Sequence, residues 1–268
     1  MYSKKIIIAL MAIFILEACS KVPITGRKQV KLLPEYMLID MSLDSYSQFL
    51  SESTVIKSTS EANMVQTIGN KMSKAVGTYL RADGSEKRIE GFKWQFNLVD
   101  DPQVNAWCMP GGKVVVYSGI LPVTKTETGL ATVMGHEIAH AIARHGNERM
   151  SQGLALQMGA LGLDVALRNK PEQTRALFNT AYGVGATLGL MLPYSRLHET
   201  EADKMGLVFM ALAGYDPSES VRFWERMAAQ SSGAPPQFLS THPSHETRIK
   251  NLKAFLPEAH KIYNLKKK

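Results

Sequence analysis

Cysteine is scarce in this 268-residue chain: there are two, Cys19 and Cys108. At most one disulfide is available, so a disulfide-stapled scaffold is excluded. A chain of this length buries an adequate core without one, and a single domain is the natural reading. Long apolar runs are also missing. The longest, residues 6–16, falls well short of the eighteen or so residues of a membrane-spanning helix. There is no repeat of 34-residue type, which excludes a helical-repeat array. The formal net charge is +7, with a run of three lysines at the C-terminus. No stripe of Lys and Arg interleaved with aromatics accompanies it, so nucleic acid is not an expected partner. The basic bias reads as a solvated surface with a weak attraction to anionic membranes.

What the chain does have is GHEIAHAIARH at 135–145. In a helix, residues four apart project from one face, so His136 and His140 can aim two imidazoles at one point. Zinc accepts two such nitrogens, and Glu137, rotated to the adjoining face, can reach a water there as general base. The run 124–145 reads as one long helix opened by a Thr124–Glu127 capping box. Val133, Met134, Ile138, Ala141 and Ile142 give it a broad apolar surface, so it is expected in the core. A catalytic zinc needs a third protein ligand. His145 is badly placed for one: the metzincin pattern needs Gly at 143 and His at 146, where this chain has Ala143 and Gly146. His145 is expected simply to end the helix. The stretch SRLHETEADKMG (195–206) offers His198, Glu199 and Glu201. Glu199 and Asp203 share a helical face and Glu201 points the other way. Glu199 is therefore the expected ligand, with Asp203 free to hold the N–H of a ligand imidazole. Ala202 would let the two helices approach.

Two further segments stand out. VNAWCMPGGKVVVYSGIL (104–121) reads as a strand, a tight turn at Pro110, Gly111 and Gly112, and a second strand. Its first strand, with Asn105 and Ala106, is expected to border the cleft and pair with an extended substrate by strand addition. THPSHETR (241–248) sets His242 before Pro243 and puts Arg248 on the first turns of a helix that Ser244 can cap. These segments, with HEIAH and the later ETEAD, resemble the gluzincin metallopeptidase family of HtpX and the CAAX prenyl endopeptidases. Within it they are similar to the periplasmic lipoproteins LoiP and the protease domain of BepA. The resemblance runs over roughly residues 60–256. It implies a zinc endopeptidase with His136, His140 and Glu199 as metal ligands, Glu137 as base and Asp203 behind a ligand. Glu137 would take a proton from the attacking water and return it to the leaving amine. It further implies that His242 and Arg248 stabilise the oxyanion, although His242 could instead complete the zinc coordination at rest.

The N-terminus reads as a signal peptide over 1–18, with a positive start and an eleven-residue apolar run. LEACS resembles a bacterial lipobox, making Cys19 a candidate lipid anchor, and 19–34 reads as an extended tether, with packing on the body as the alternative. Residues 35–268 are expected to form the peptidase domain. The expected fold is α+β and predominantly helical, with a small β-sheet beside the active-site helix. Helices are expected near 35–51, 61–81, 124–146, 147–168, 172–191, 196–213, 217–231 and 244–255, and strands at 92–99, 104–109 and 113–119. Residues 153–192 are rich in small and apolar residues and fit either packed core helices or a cover over the site. The expected location is the periplasmic side of a bacterial envelope membrane. The outer membrane is favoured because Ser20, not aspartate, follows the cysteine. Expected substrates are misfolded or unassembled envelope polypeptides. A different class also fits: a non-catalytic, zinc-holding chaperone or assembly factor. Glu137 argues against it, since a structural site fills zinc with four protein ligands and needs no base.

Overall fold

The computed structural model describes residues 19–170, 172–186, 192–229, 237–242 and 246–266. The expected signal peptide (1–18), Pro243 and the Ser244 cap lie outside the described residues. Two strands, β1 (Cys19–Lys21) and β2 (Lys28–Val30), pair antiparallel with Cys19 opposite Val30. The presumed tether is thus a hairpin folded onto the body, with Val22 and Gln29 buried. Helix α1 (Glu35–Glu52) follows, then β3 (Val55–Ile56) and α2 (Ser60–Ala82). The α2 N-terminus is capped by Thr59, whose hydroxyl accepts from the Ala62 amide. Its Val65, Ile68, Met72, Val76 and Leu80 recur every three or four residues and are all fully buried.

Strands β4 (Gln95–Val99), β5 (Ala106–Met109) and β6 (Lys113–Tyr117) complete a four-stranded sheet in the order β3-β4-β6-β5. β6 pairs parallel with β4 and antiparallel with β5. KVVVY shows no alternation because every residue of β6 is buried. The β5–β6 turn uses Gly111 and Gly112 at φ 85° and 78°, a region side chains resist. β5 therefore lies at an edge of the sheet.

After a short α3 (Leu121–Thr124), α4 (Glu127–Ala143) carries the HEIAH segment. The expected capping box is displaced. Thr124 closes α3, and Thr126 is the cap, its hydroxyl accepting from the Gly129 amide. Glu127 instead accepts from Tyr215 Oη at 2.6 Å. The expected continuous helix to 146 breaks at Arg144, in the left-handed region at φ 59°. Arg144 is held there by Nη2 donating to Lys87 O at 3.0 Å and by an ion pair with Glu35 at 3.3 Å.

The remaining helices are α5 (His145–Leu167), α6 (Glu172–Ala186), α7 (Leu192–Leu212), α8 (Glu219–Ala229), α9 (Gln237–Thr241) and α10 (Glu246–Lys266). α5 and α6 are not core helices: beyond Ser151, α5 leaves Leu154, Met158, Leu161 and Val165 exposed. α10 runs past the expected end at 255, through Pro257, because Ala259 is buried against the core and Ser218 Oγ lies 2.9 Å from His260 Nε2. The fold is α+β, mostly helical, with its sheet against α4. Among the described residues no helix is long and apolar enough to cross a membrane.

Candidate metal centre

Two helices bring the site together. α4 and α7 cross at Gly135 and Gly206, where a Cβ on Gly206 would sit 3.1 Å from the His136 amide nitrogen. The expected spacer, Ala202, is fully buried one turn away. This close approach sets His136 and His140 opposite Glu199 and Asp203.

Four side chains converge. His136 Nε2 lies 3.1 Å from His140 Nε2 and 3.3 Å from Glu199 Oε2. His140 Nε2 is 3.3 Å from Glu199 Oε1. His242 Nδ1 is 3.2 Å from His136 Nε2 and 3.0 Å from Glu199 Oε2. A tetrahedral zinc with bonds of roughly 2.0–2.1 Å separates its ligands by about 3.3 Å. Two or three imidazoles and one carboxylate at these spacings are therefore a donor set that zinc fits. His242, which directly follows α9, is the fourth group of the cluster.

The supporting contacts are specific. Asp203 Oδ1 lies 3.0 Å from His136 Nδ1, so it can accept that N–H and leave Nε2 for a metal. Arg248 donates from Nη2 to Asp203 Oδ1 at 2.6 Å and from Nη1 to Glu199 Oε2 at 3.3 Å. Its guanidinium lies 3.4 Å over the Trp224 ring. Arg248 is buried and spans the two carboxylates. Glu137 is buried, and its Oε1 makes no hydrogen bond among the described residues; it sits 3.4 Å from His242 Nε2. Burial pushes the Glu137 carboxyl up to about 7, against the pull of His242. Burial also opposes ionisation of Glu199, but His140, His136 and His242 outweigh it and hold that carboxyl well below the usual range. For Asp203 the same opposition is overcome by Arg248 and His136. Burial drives His140 strongly toward the neutral form that a metal requires.

Ala106, the first residue of the edge strand, and Asn105 just before it are both buried. The Ala106 amide donates to its neighbour Asn105 Oδ1 at 2.9 Å. The Val104 carbonyl accepts from the Phe238 amide at 3.1 Å, which ties α9 and its following His242 to the same strand.

Residues 59–256 match the family model described as "Peptidase family M48". The chain belongs to peptidase family M48. Curated relatives include the "Mitochondrial metalloendopeptidase OMA1" of Schizosaccharomyces pombe, 40% identical over 173 residues that cover 64% of this chain and 49% of the relative. The OMA1 metalloendopeptidase of Homo sapiens is 31% identical over 248 residues, 90% of this chain and 46% of the relative. The "Beta-barrel assembly-enhancing protease" of Escherichia coli is 32% identical over 162 residues, 58% of this chain and 33% of the relative. The chain spans about half or less of the length of these M48 relatives, and both mitochondrial and bacterial proteins are among them.

Sequence reasoning missed several buried residues behind the site. His145 does not merely end a helix: its Nδ1 lies 2.8 Å from His140 Nδ1. His198, Glu148, Glu201 and Arg27 join it. The available signal was the spacing H-x-x-E, which occurs at His145–Glu148 and again at His198–Glu201.

Proposed function

We propose that this M48 chain is a zinc-dependent endopeptidase, with His136, His140 and Glu199 as metal ligands and Glu137 as general base. The observation that carries the reading is the convergence of these ligand atoms at tetrahedral spacing beside a buried carboxylate oxygen that makes no hydrogen bond among the described residues. A bound zinc would supply Lewis acidity toward water and the scissile carbonyl. Glu137 would take the proton of the attacking water and pass it to the leaving amine. Asp203 orients His136, and Arg248 holds Asp203 and Glu199 in place. Edge strand β5, beginning at Ala106, together with Asn105 just before it, would receive an extended peptide by backbone pairing. His242 must withdraw from the fourth position before substrate enters.

The finer reading places the enzyme on the periplasmic side of a bacterial envelope membrane, the outer membrane in preference, anchored by lipid on Cys19. Its substrates would be misfolded or unassembled envelope proteins, a quality-control role. The lipobox-like LEACS segment and the bacterial relative named for β-barrel assembly support this. Because β1 begins at Cys19, such an anchor would hold the body close against the bilayer.

One observation favours the rival class: four protein groups at the site match a structural zinc. Casein digestion decides between them. The endopeptidase reading expects cleavage that a chelator abolishes and zinc restores, and that Glu137→Gln abolishes with zinc retained. Zinc-loaded protein that cleaves nothing, with His242 intact or replaced by Ala, would leave the structural role.

A further inference from the structure

Behind the candidate metal position lies a second cluster that the proposed chemistry does not use. The two H-x-x-E segments, on α5 and α7, pair crosswise. His145 Nε2 lies 3.0 Å from Glu201 Oε2, and His198 Nε2 lies 2.9 Å from Glu148 Oε2. The two imidazoles stack, with ring centroids 4.2 Å apart and planes 18° from parallel. Arg27, from the N-terminal hairpin, joins the carboxylates. It donates from Nε and Nη2 to Glu201 at 2.9 and 2.7 Å, and from Nη1 and Nη2 to Glu148 at 2.8 and 2.7 Å. The Thr25 hydroxyl also donates to Glu201, and Gln29 Nε2 donates to Glu148 at 3.0 Å. His145, His198, Glu148 and Glu201 are each at most 3% exposed. So many buried polar groups without pairing would be expensive, and here they are paired.

The cluster touches the metal position at one point, His140 Nδ1. If His140 gives Nε2 to a metal, its proton must sit on Nδ1 and needs an acceptor. His136 has Asp203 for that purpose. For His140 the neighbour is His145 Nδ1, at 2.8 Å. It accepts only in the tautomer that carries its proton on Nε2. That tautomer is selected by Glu201, which accepts from Nε2 and is itself fixed by Arg27. Every proton in the row His140–His145–Glu201–Arg27 then has one place.

We propose that His145 and Glu201 are positioning residues for the metal ligand His140, and that Arg27 on the N-terminal hairpin completes the row. The sharp left-handed turn at Arg144 serves this arrangement by aiming His145 back at His140. The proposal rests on the reading of His140 as a ligand, but its test is metal affinity, which does not require proteolysis. Zinc binding is measured by competition with a chromophoric chelator, beside the visible spectrum of the Co²⁺-loaded protein and the thermal unfolding of the metal-free form. His145→Leu removes the acceptor. His145→Asn keeps an oxygen close to the position of Nδ1. The expected results are roughly a 10–100-fold weaker zinc affinity for His145→Leu and a substantial recovery for His145→Asn. Glu201→Gln and Arg27→Gln should also weaken zinc by several-fold and alter the Co²⁺ spectrum; Arg27→Gln, which leaves the buried carboxylates without their cation, should in addition lower the unfolding temperature of the metal-free form. Equal losses in the Leu and Asn variants would show packing alone and overturn the proposal. So would wild-type affinity in His145→Leu. If His145→Leu does not fold, Glu201→Gln and Arg27→Gln decide alone: unchanged affinity and spectrum in both refutes it. Wild-type protein that binds zinc but cleaves no casein would end the endopeptidase reading and leave this one standing.

Discussion

Replacing Gly206 by alanine tests how tightly the two ligand helices are bound to each other. A Cβ there would lie 3.1 Å from the His136 nitrogen and 3.2 Å from Gly135 C and His136 Cα. All three are backbone atoms of α4, so no side chain can swing aside. Relief requires the helices to part by a few tenths of an ångström, directly under His136. Alanine gains about 0.8–1.0 kcal/mol over glycine in a helix interior. Overpacking a filled contact loses about 1–3 kcal/mol. The balance is a destabilisation of up to about 2 kcal/mol, a few degrees in Tm at this size. Zinc affinity should fall with it, because His136 moves relative to Glu199. Gly153 and Gly162 provide internal controls: a Cβ at either meets nothing within 4 Å. Their alanine variants keep the propensity gain of up to about 1 kcal/mol with no clash. Urea unfolding of the metal-free variants, with zinc titrations, makes the comparison. A Gly206→Ala protein stabilised as much as the controls, binding zinc as wild type does, would refute the close-crossing argument.

Two other outcomes follow from the site and its surroundings. His242→Ala should keep most of the zinc and raise cleavage of an unfolded substrate, because His242 Nδ1 stands among the ligand atoms 3.0 Å from Glu199 Oε2; a fall in kcat of roughly 10²–10³ at unchanged zinc would make it an oxyanion donor instead. Glu148 governs acid stability: burial opposes its ionisation, but Arg27, His198 and Gln29 outweigh that and hold the folded carboxyl far below its ordinary value of 4.5. A depressed folded pKa gives stability that is present above about 4.5 and lost as pH falls below it, so Glu148→Gln should flatten the acid limb between about pH 5 and 3, and an unchanged limb would contradict the assignment.

The parts of the fold that the sequence made legible are those governed by local periodicity. HEIAH and the Glu199–Asp203 pair each follow from residues four apart on one helix, and those residues do face one another. The glycine turn between β5 and β6 announced itself because only glycine adopts φ near 80° freely. The end of α4 did not. Arg144 carries no glycine or proline signal, and its left-handed conformation is imposed by Lys87 and Glu35 from distant parts of the chain. The exposure of α5 and α6 was equally hidden, since a stripe of Leu, Met and Val reads as core whether or not anything packs on it.

The crosswise histidine cluster shows most clearly where local reasoning stops. Each H-x-x-E segment taken alone is uninformative: polar residues three apart suit a solvated helix face. Glu201 does point away from Glu199, and it is buried there. The space behind the metal helices is closed by Arg27, which sits 121 residues from Glu148 and 174 from Glu201 in sequence. The guanidinium supplies a positive charge in contact with both carboxylates, which helps two carboxylates and two imidazoles share a buried volume. Without Arg27 the same four side chains would be costly to bury, and the helices carrying them would have no reason to meet there. The N-terminal hairpin therefore shares one buried polar cluster with α5 and α7.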